Sequence, residues 1–233
     1  MKITRLSSTE VANVSVLPSS KKYLALKSLE EPRVRWGYQP VVDALPSILL
    51  AESSLFGHLP AGDDSELLRL IESSCKKGPS QKAACRAVAE AIIDWRNENG
   101  VFGRVVSPEP LRTTVDTLRY CADVAAIHNE TAYILNLDCR SKMNLSLQGK
   151  EFMKSLIHHT ALVGDLRDAS VAILRTPVVK KGMRKAVLEE LKGEPIYSLE
   201  DILRMVNETY SIWELLLRER RSGSGNAAGG SLL

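Results

Sequence analysis

The stretch YCADVAAIHNETAYILNLDCR, residues 120–140, decides the reading of the fold. Tyr120 to Ile127 is rich in strand formers, His128-Asn129-Glu130-Thr131 is polar and turn-like, and Ala132 to Leu137 resumes an apolar, partly alternating run. That pattern predicts a β-hairpin. A loop of two or four residues centred on Asn129 and Glu130 pairs Ile127 with Ala132 and Asp123 with Asn136. Because strand side chains alternate between faces, Asp138 and Arg140 then share the face of Asp123 and Asn136.

Outward from the hairpin, the order of elements is helix, hairpin, helix, strand. On the N-terminal side, Gly62-Asp63-Asp64-Ser65 opens a helix that Lys76-Lys77-Gly78-Pro79 ends. Ser80 caps a longer helix, with Ala84, Val88, Ala91, Ile92 and Trp95 at helical spacing and Gly100 as its stop. On the C-terminal side, Leu145 to Val163 carries Phe152, Met153, Leu156 and Ile157 on one side of a helix, and SVAILR, residues 170–175, reads as a buried strand ended by Pro177. Residues 182–191, 198–206 and 208–221 read as helices, and the Gly/Ala/Ser-rich tail 222–233 as disordered. The segment 1–60 has no clear organisation beyond a strand at Val11–Leu17 and a short helix at Val41–Leu50. The expected division is therefore an N-terminal segment 1–60, an α/β core 61–178, C-terminal helices 179–221 and a tail. The fold class is α/β (α+β): a small mixed β-sheet flanked by helices, with a helical C-terminal extension.

With 233 residues, 44% of them apolar, the chain can build a buried core. No apolar run approaches the roughly 18 residues that span a bilayer, and Met1–Ser20 lacks a signal-peptide core, so a cytoplasmic protein without membrane contact is expected. The four cysteines form no CxxC pair and are expected as buried free thiols. There is no GxxxxGK[ST] loop and no GxGxxG after a strand, which argues against nucleotide hydrolysis and dinucleotide chemistry.

The chemistry, if any, centres on the hairpin. Asp123 and Asp138 on one face would raise each other's pKa unless a cation lay between them, and Mg²⁺ or Mn²⁺ would resolve the conflict. Arg140 would then face an attacked phosphate. These residues resemble the PD-(D/E)XK nuclease superfamily, in which an acid on one strand is followed on the next by (Asp or Glu)-x-Lys; the likeness covers roughly residues 80–177. It implies a restriction-endonuclease-like core that hydrolyses a nucleic-acid phosphodiester, with Asp123 and Asp138 as metal ligands and Arg140 in the place of the lysine. Gln148-Gly149-Lys150-Glu151-Phe152 is similar to the Gln-x-x-x-Tyr motif of RecB-like members, which implies an orienting role for Gln148. Glu90 is the implied third acid, against a plain solvated helix position.

Lys150, Lys154 and His158 stand at i, i+4 and i+8, a cationic stripe suited to a phosphate backbone. Lys180, Lys181 and Arg184 belong to a second basic run, without an acid between Arg175 and Lys185. DNA is the expected partner in preference to RNA. The adjacent His158 and His159 point about 100° apart on a helix and do not share one metal. Two rivals stand beside the nuclease reading. One is a catalytically inactive, nuclease-like nucleic-acid-binding or assembly subunit. The other is a helical interaction module, whose Ile202, Leu203, Val206, Ile212, Leu215 and Leu216 would form a homodimer or a protein-partner interface.

Overall fold

The structure, a computed structural model, describes residues 5–29, 37–54, 57–60, 63–114, 117–118, 124–140, 145–180 and 182–226. Its centre is the expected hairpin, β6 (Val124–His128) and β7 (Thr131–Asp138). Asn129 (φ 47°) and Glu130 (φ 63°) both occupy the left-handed region, as a two-residue type I′ turn demands. The register follows: Ile127 lies opposite Ala132 and Ala125 opposite Ile134. Asp123 lies outside the described residues, and its pairing with Asn136 with it.

The hairpin sits inside a five-stranded sheet completed by β3 (Phe102–Val105), β8 (Ser170–Arg175) and β11 (Val187–Glu190). The order is β11-β8-β7-β6-β3, and only β7 and β8 run parallel. A parallel pair needs a crossover, and the helix α6 (Leu147–Ala161) supplies it. The expected mixed α/β architecture is the one observed.

Both faces of the sheet are covered, which explains why its strands carry apolar residues at consecutive positions. Ala125, Ile134, Val171 and Ile173 face one core, beneath α1 (Ser8–Ser15), α2 (Ser19–Lys27), α6 and α7 (Leu199–Asn226). Val124, Ala126, Leu135, Ala172 and Leu174 face the other, beneath α3 (Gln39–Leu49), α4 (Asp64–Ser74) and α5 (Pro79–Asn99). At Gly103 a Cβ would meet the backbone of Leu49 at 2.9 Å, so glycine lets the end of α3 lie against β3. Among the described residues three short strand pairs lie outside the main sheet: β1 (Ala51–Ser54) with β2 (Gly57–Pro60), β4 (Leu111–Arg112) with β5 (Thr117–Leu118), and β9 (Val178–Lys180) with β10 (Met183–Arg184).

Three segments differ from their sequence reading. Residues 11–17 belong largely to α1, because the Ser7 and Glu10 side chains cap each other's backbone amides at 3.3 and 2.8 Å. Residues 182–191 form strands, not a helix: Gly182 turns the chain at φ 79°, and β11 then gains its backbone hydrogen bonds on the edge of β8. Residues 198–221 make one helix rather than two, and α7 continues through Asn226, into the segment expected as tail. Ile202, Val206, Tyr210, Trp213 and Leu217 form a continuous buried stripe along α7, and Asn207 in its midst does not interrupt it. Residues 227–233 lie outside the described residues.

Candidate functional site

At the end of β7, Asp138 is only 4% exposed and stands opposite Arg175 of the parallel neighbour. Arg140 folds back upon it. Its backbone N–H donates to Oδ1 at 3.2 Å, its Nε to the same oxygen at 3.0 Å, and its Nη2 to Oδ2 at 3.4 Å. A guanidinium fork thus occupies both carboxylate oxygens, and the Asp138 charge is balanced within its own strand end. Among the described residues no group of three or more His, Cys, Asp or Glu side chains could hold a metal ion. Glu90, the implied third acid, accepts from Arg86 Nε at 2.8 Å one turn away on α5. Gln148 is exposed in the first turn of α6.

The α6 stripe is not a free cationic surface. The Lys150 ammonium donates to Glu189 of β11, which Arg175 also approaches at 3.6 Å. Lys154 is 5% exposed, pairs with Glu151 at 2.7 Å and donates to the Lys192 carbonyl at 3.1 Å. Both lysines therefore tie the crossover helix to the strand and loop that precede α7. His158 meets His159 edge to face, with ring centroids 5.4 Å apart, and His159 lies 3.0 Å from the Tyr197 carbonyl.

Arg184 is also an internal anchor. Its Nη1 donates to the carbonyls of Cys139 at 2.7 Å and Thr176 at 2.8 Å, its Nη2 donates to the Tyr38 hydroxyl at 2.5 Å, and its guanidinium lies over the Tyr38 ring. Burial raises the Tyr38 pKa above the ordinary phenol value against the opposing pull of Arg184, so the hydroxyl stays protonated. The thiols alongside are inert. Burial pushes both Cys139 and Cys85 up to about 12, with Asp138 adding to the first and Cys75 to the second. Cys75, Cys85 and Cys139 are free and buried, as expected; Cys121 lies outside the described residues.

What Arg184 anchors is the β9–β10 hairpin; the sequence reading named its cations as a basic run but not its strands or its exposed apolar residues. Every residue of β9 is exposed. Val178, Val179 and Met183 stand 47%, 54% and 59% exposed, and Val187, where the chain enters β11, 45%. Among the described residues, no carboxylate pairs with Lys180 or Lys185; Lys181 lies outside them. Among the described residues β11 is the terminal strand of the sheet and pairs with β8. Pro177, the Val178-Val179 pair and Lys181-Gly182 were the available signals: a strand start, two β-branched residues and a turn. By contrast, the proposed helical interface on α7 is largely internal. Ile202 and Val206 are fully buried and Leu216 nearly so; Leu215 alone of the six is exposed, at 51%.

Comparison with known proteins points elsewhere than the hairpin. The model of a family described as sliding clamp-binding bacterial toxin SocB matches residues 9–223, nearly the whole chain. A curated protein described as DNA replication inhibitor toxin SocB, from Caulobacter vibrioides, is 24% identical over 97% of this chain and 98% of its own length. The crystal structure of SSO0001 is 12% identical over 83% of this chain and 84% of that chain, with a TM-score of 0.35, and carries no argument. The family match overturns the resemblance to PD-(D/E)XK nucleases, and with it the reading as a magnesium-dependent nuclease or hydrolase. The physical reason is visible at Asp138: an acid at a strand end followed two residues on by arginine makes a local ion pair, a pattern common to many folds.

Proposed function

Because the chain belongs to the SocB family of sliding clamp-binding bacterial toxins, we propose that it binds a bacterial sliding clamp and, by occupying it, stops DNA replication. The observation that carries this reading is the extent of the match, which takes in both cores and the helices on both faces of the sheet. The full-length likeness to a replication inhibitor supports the same activity. The site geometry is consistent with binding rather than bond cleavage. The acid that would hold a metal is neutralised by Arg140, and two of the cations that would track a phosphate backbone, Lys150 and Lys154, are held by Glu189 and Glu151. Among the described residues no helix is long and apolar enough to cross a membrane. Action on a clamp would place the chain in the cytoplasm.

The direct test measures binding of the purified chain to the purified sliding clamp of the encoding bacterium by biolayer interferometry, together with clamp-dependent primer extension. Saturable binding with Kd of about 10 µM or tighter, and inhibition of extension that extra clamp relieves, are the expected results. No binding at several times that concentration would sink the proposal.

A further inference from the structure

We propose that the β9–β10 arm and the adjoining start of β11 form the surface that docks an acidic face of the protein partner, a reading that rests on the clamp-binding function above. Three observations converge there. Val178, Val179, Met183 and Val187 form a run of exposed apolar side chains in a molecule whose other large apolar residues mostly enter the two cores. Lys180 and Lys185 flank them with ammonium groups that no described carboxylate neutralises, and no acid occurs in the sequence from Arg175 to Leu188. Finally, Arg184 fastens the arm to Tyr38 and to the Cys139 and Thr176 carbonyls, so the surface is held in place before a partner arrives.

Charge complementarity fixes the chemistry of the occupant: carboxylates opposite Lys180 and Lys185, with apolar side chains seated on Met183, the cross-strand neighbour of Lys180, and on Val179 of the arm's other face. A nucleic acid fits the lysines but not the valines and methionine between them, because nucleic-acid interfaces are polar and strongly cationic.

The test uses the full chain and the same purified clamp. One variant is K180E/K185E, and a second is V179S/M183S. A control, K21E/K27E, makes the same change of charge on α2, against the opposite face of the sheet. Circular dichroism and thermal melting verify that each variant folds. The charge variant is expected to raise Kd at least about tenfold at ~0.15 M salt and to flatten its salt dependence, chiefly through slower association. The apolar variant is expected to raise Kd about tenfold through faster dissociation, and the control to leave Kd unchanged. If wild type and both arm variants bind the clamp equally, the arm is not the docking surface while the clamp-binding function stands. If wild type itself does not bind, the function falls and this inference with it. If the charge variant loses affinity for a fluorescent DNA duplex while its affinity for the clamp is intact, the arm is a nucleic-acid surface and the proposal is overturned.

Discussion

The α6 stripe and the β9–β10 arm carry the same kind of charge in the sequence and opposite kinds in the fold. Lys150 and Lys154 lie on a helix that crosses over the sheet, where Glu189, Glu151 and the Lys192 carbonyl close around them. Lys180 stands on β9, every residue of which is exposed. A run of cations thus identifies a binding surface only once its internal carboxylates have been found, since an ion pair within the chain removes the charge from view.

This contrast can be broken experimentally at several strengths. The largest effect is expected from Arg184→Ala, which removes three charge-assisted hydrogen bonds and strands two carbonyls. A loss of about 3 kcal/mol in urea unfolding, with hydrogen exchange accelerated through residues 178–187, is the expected result. Unchanged exchange there would show that the arm needs no anchor. Next comes Lys154→Ala, expected to cost about 2 kcal/mol through the lost carbonyl and carboxylate bonds and the packed stem. Lys180→Ala and Lys185→Ala should stay within about 0.5 kcal/mol of wild type. Equal costs at all three positions would erase the distinction between structural and available lysines.

A smaller loss than that at Lys154 concerns a third, internal cation. Lys22 is buried and donates to Glu208, while Ser19 donates to the other carboxylate oxygen, joining α2 to α7. The hydrogen bond from Lys22, then that from Ser19, hold the Glu208 pKa below the ordinary glutamate value. A lowered folded pKa stabilises above the unfolded value and is lost as pH falls through the folded one, so this contribution is present at neutral pH and disappears on acidification. Because the carboxylate is about a third exposed, screening limits it to at most about 1 kcal/mol. Glu208→Gln should flatten the acid limb of the stability curve by that amount; an unchanged acid limb would refute the pairing.

Two acids illustrate why the site was harder to read than the fold. Asp138 was placed correctly at the end of its strand, but local sequence carries no sign of whether its carboxylate meets a metal or the guanidinium two residues on. Glu189 had no role in the sequence reading, although it decides the fate of Lys150. Partners that lie far apart in the chain leave no local pattern.

What the sequence alone determined was whatever depends on near neighbours. The polar Asn129-Glu130 loop set the hairpin register, consecutive apolar residues in Val171–Leu174 marked a strand covered on both faces, and Gly100 ended α5, whereas Ser80, expected as its cap, lies inside the helix that Gly78 caps. Tertiary structure decided the rest: that Met183–Arg184 pair with β9 and Val187–Glu190 with the edge of β8 instead of coiling into a helix, and that α7 runs unbroken because both ends of its stripe lie on one core. It also decided which lysines stay available to a partner. Backbone pairing across a sheet and charge neutralisation across a core are contacts between distant residues, and these are settled only when the chain has folded.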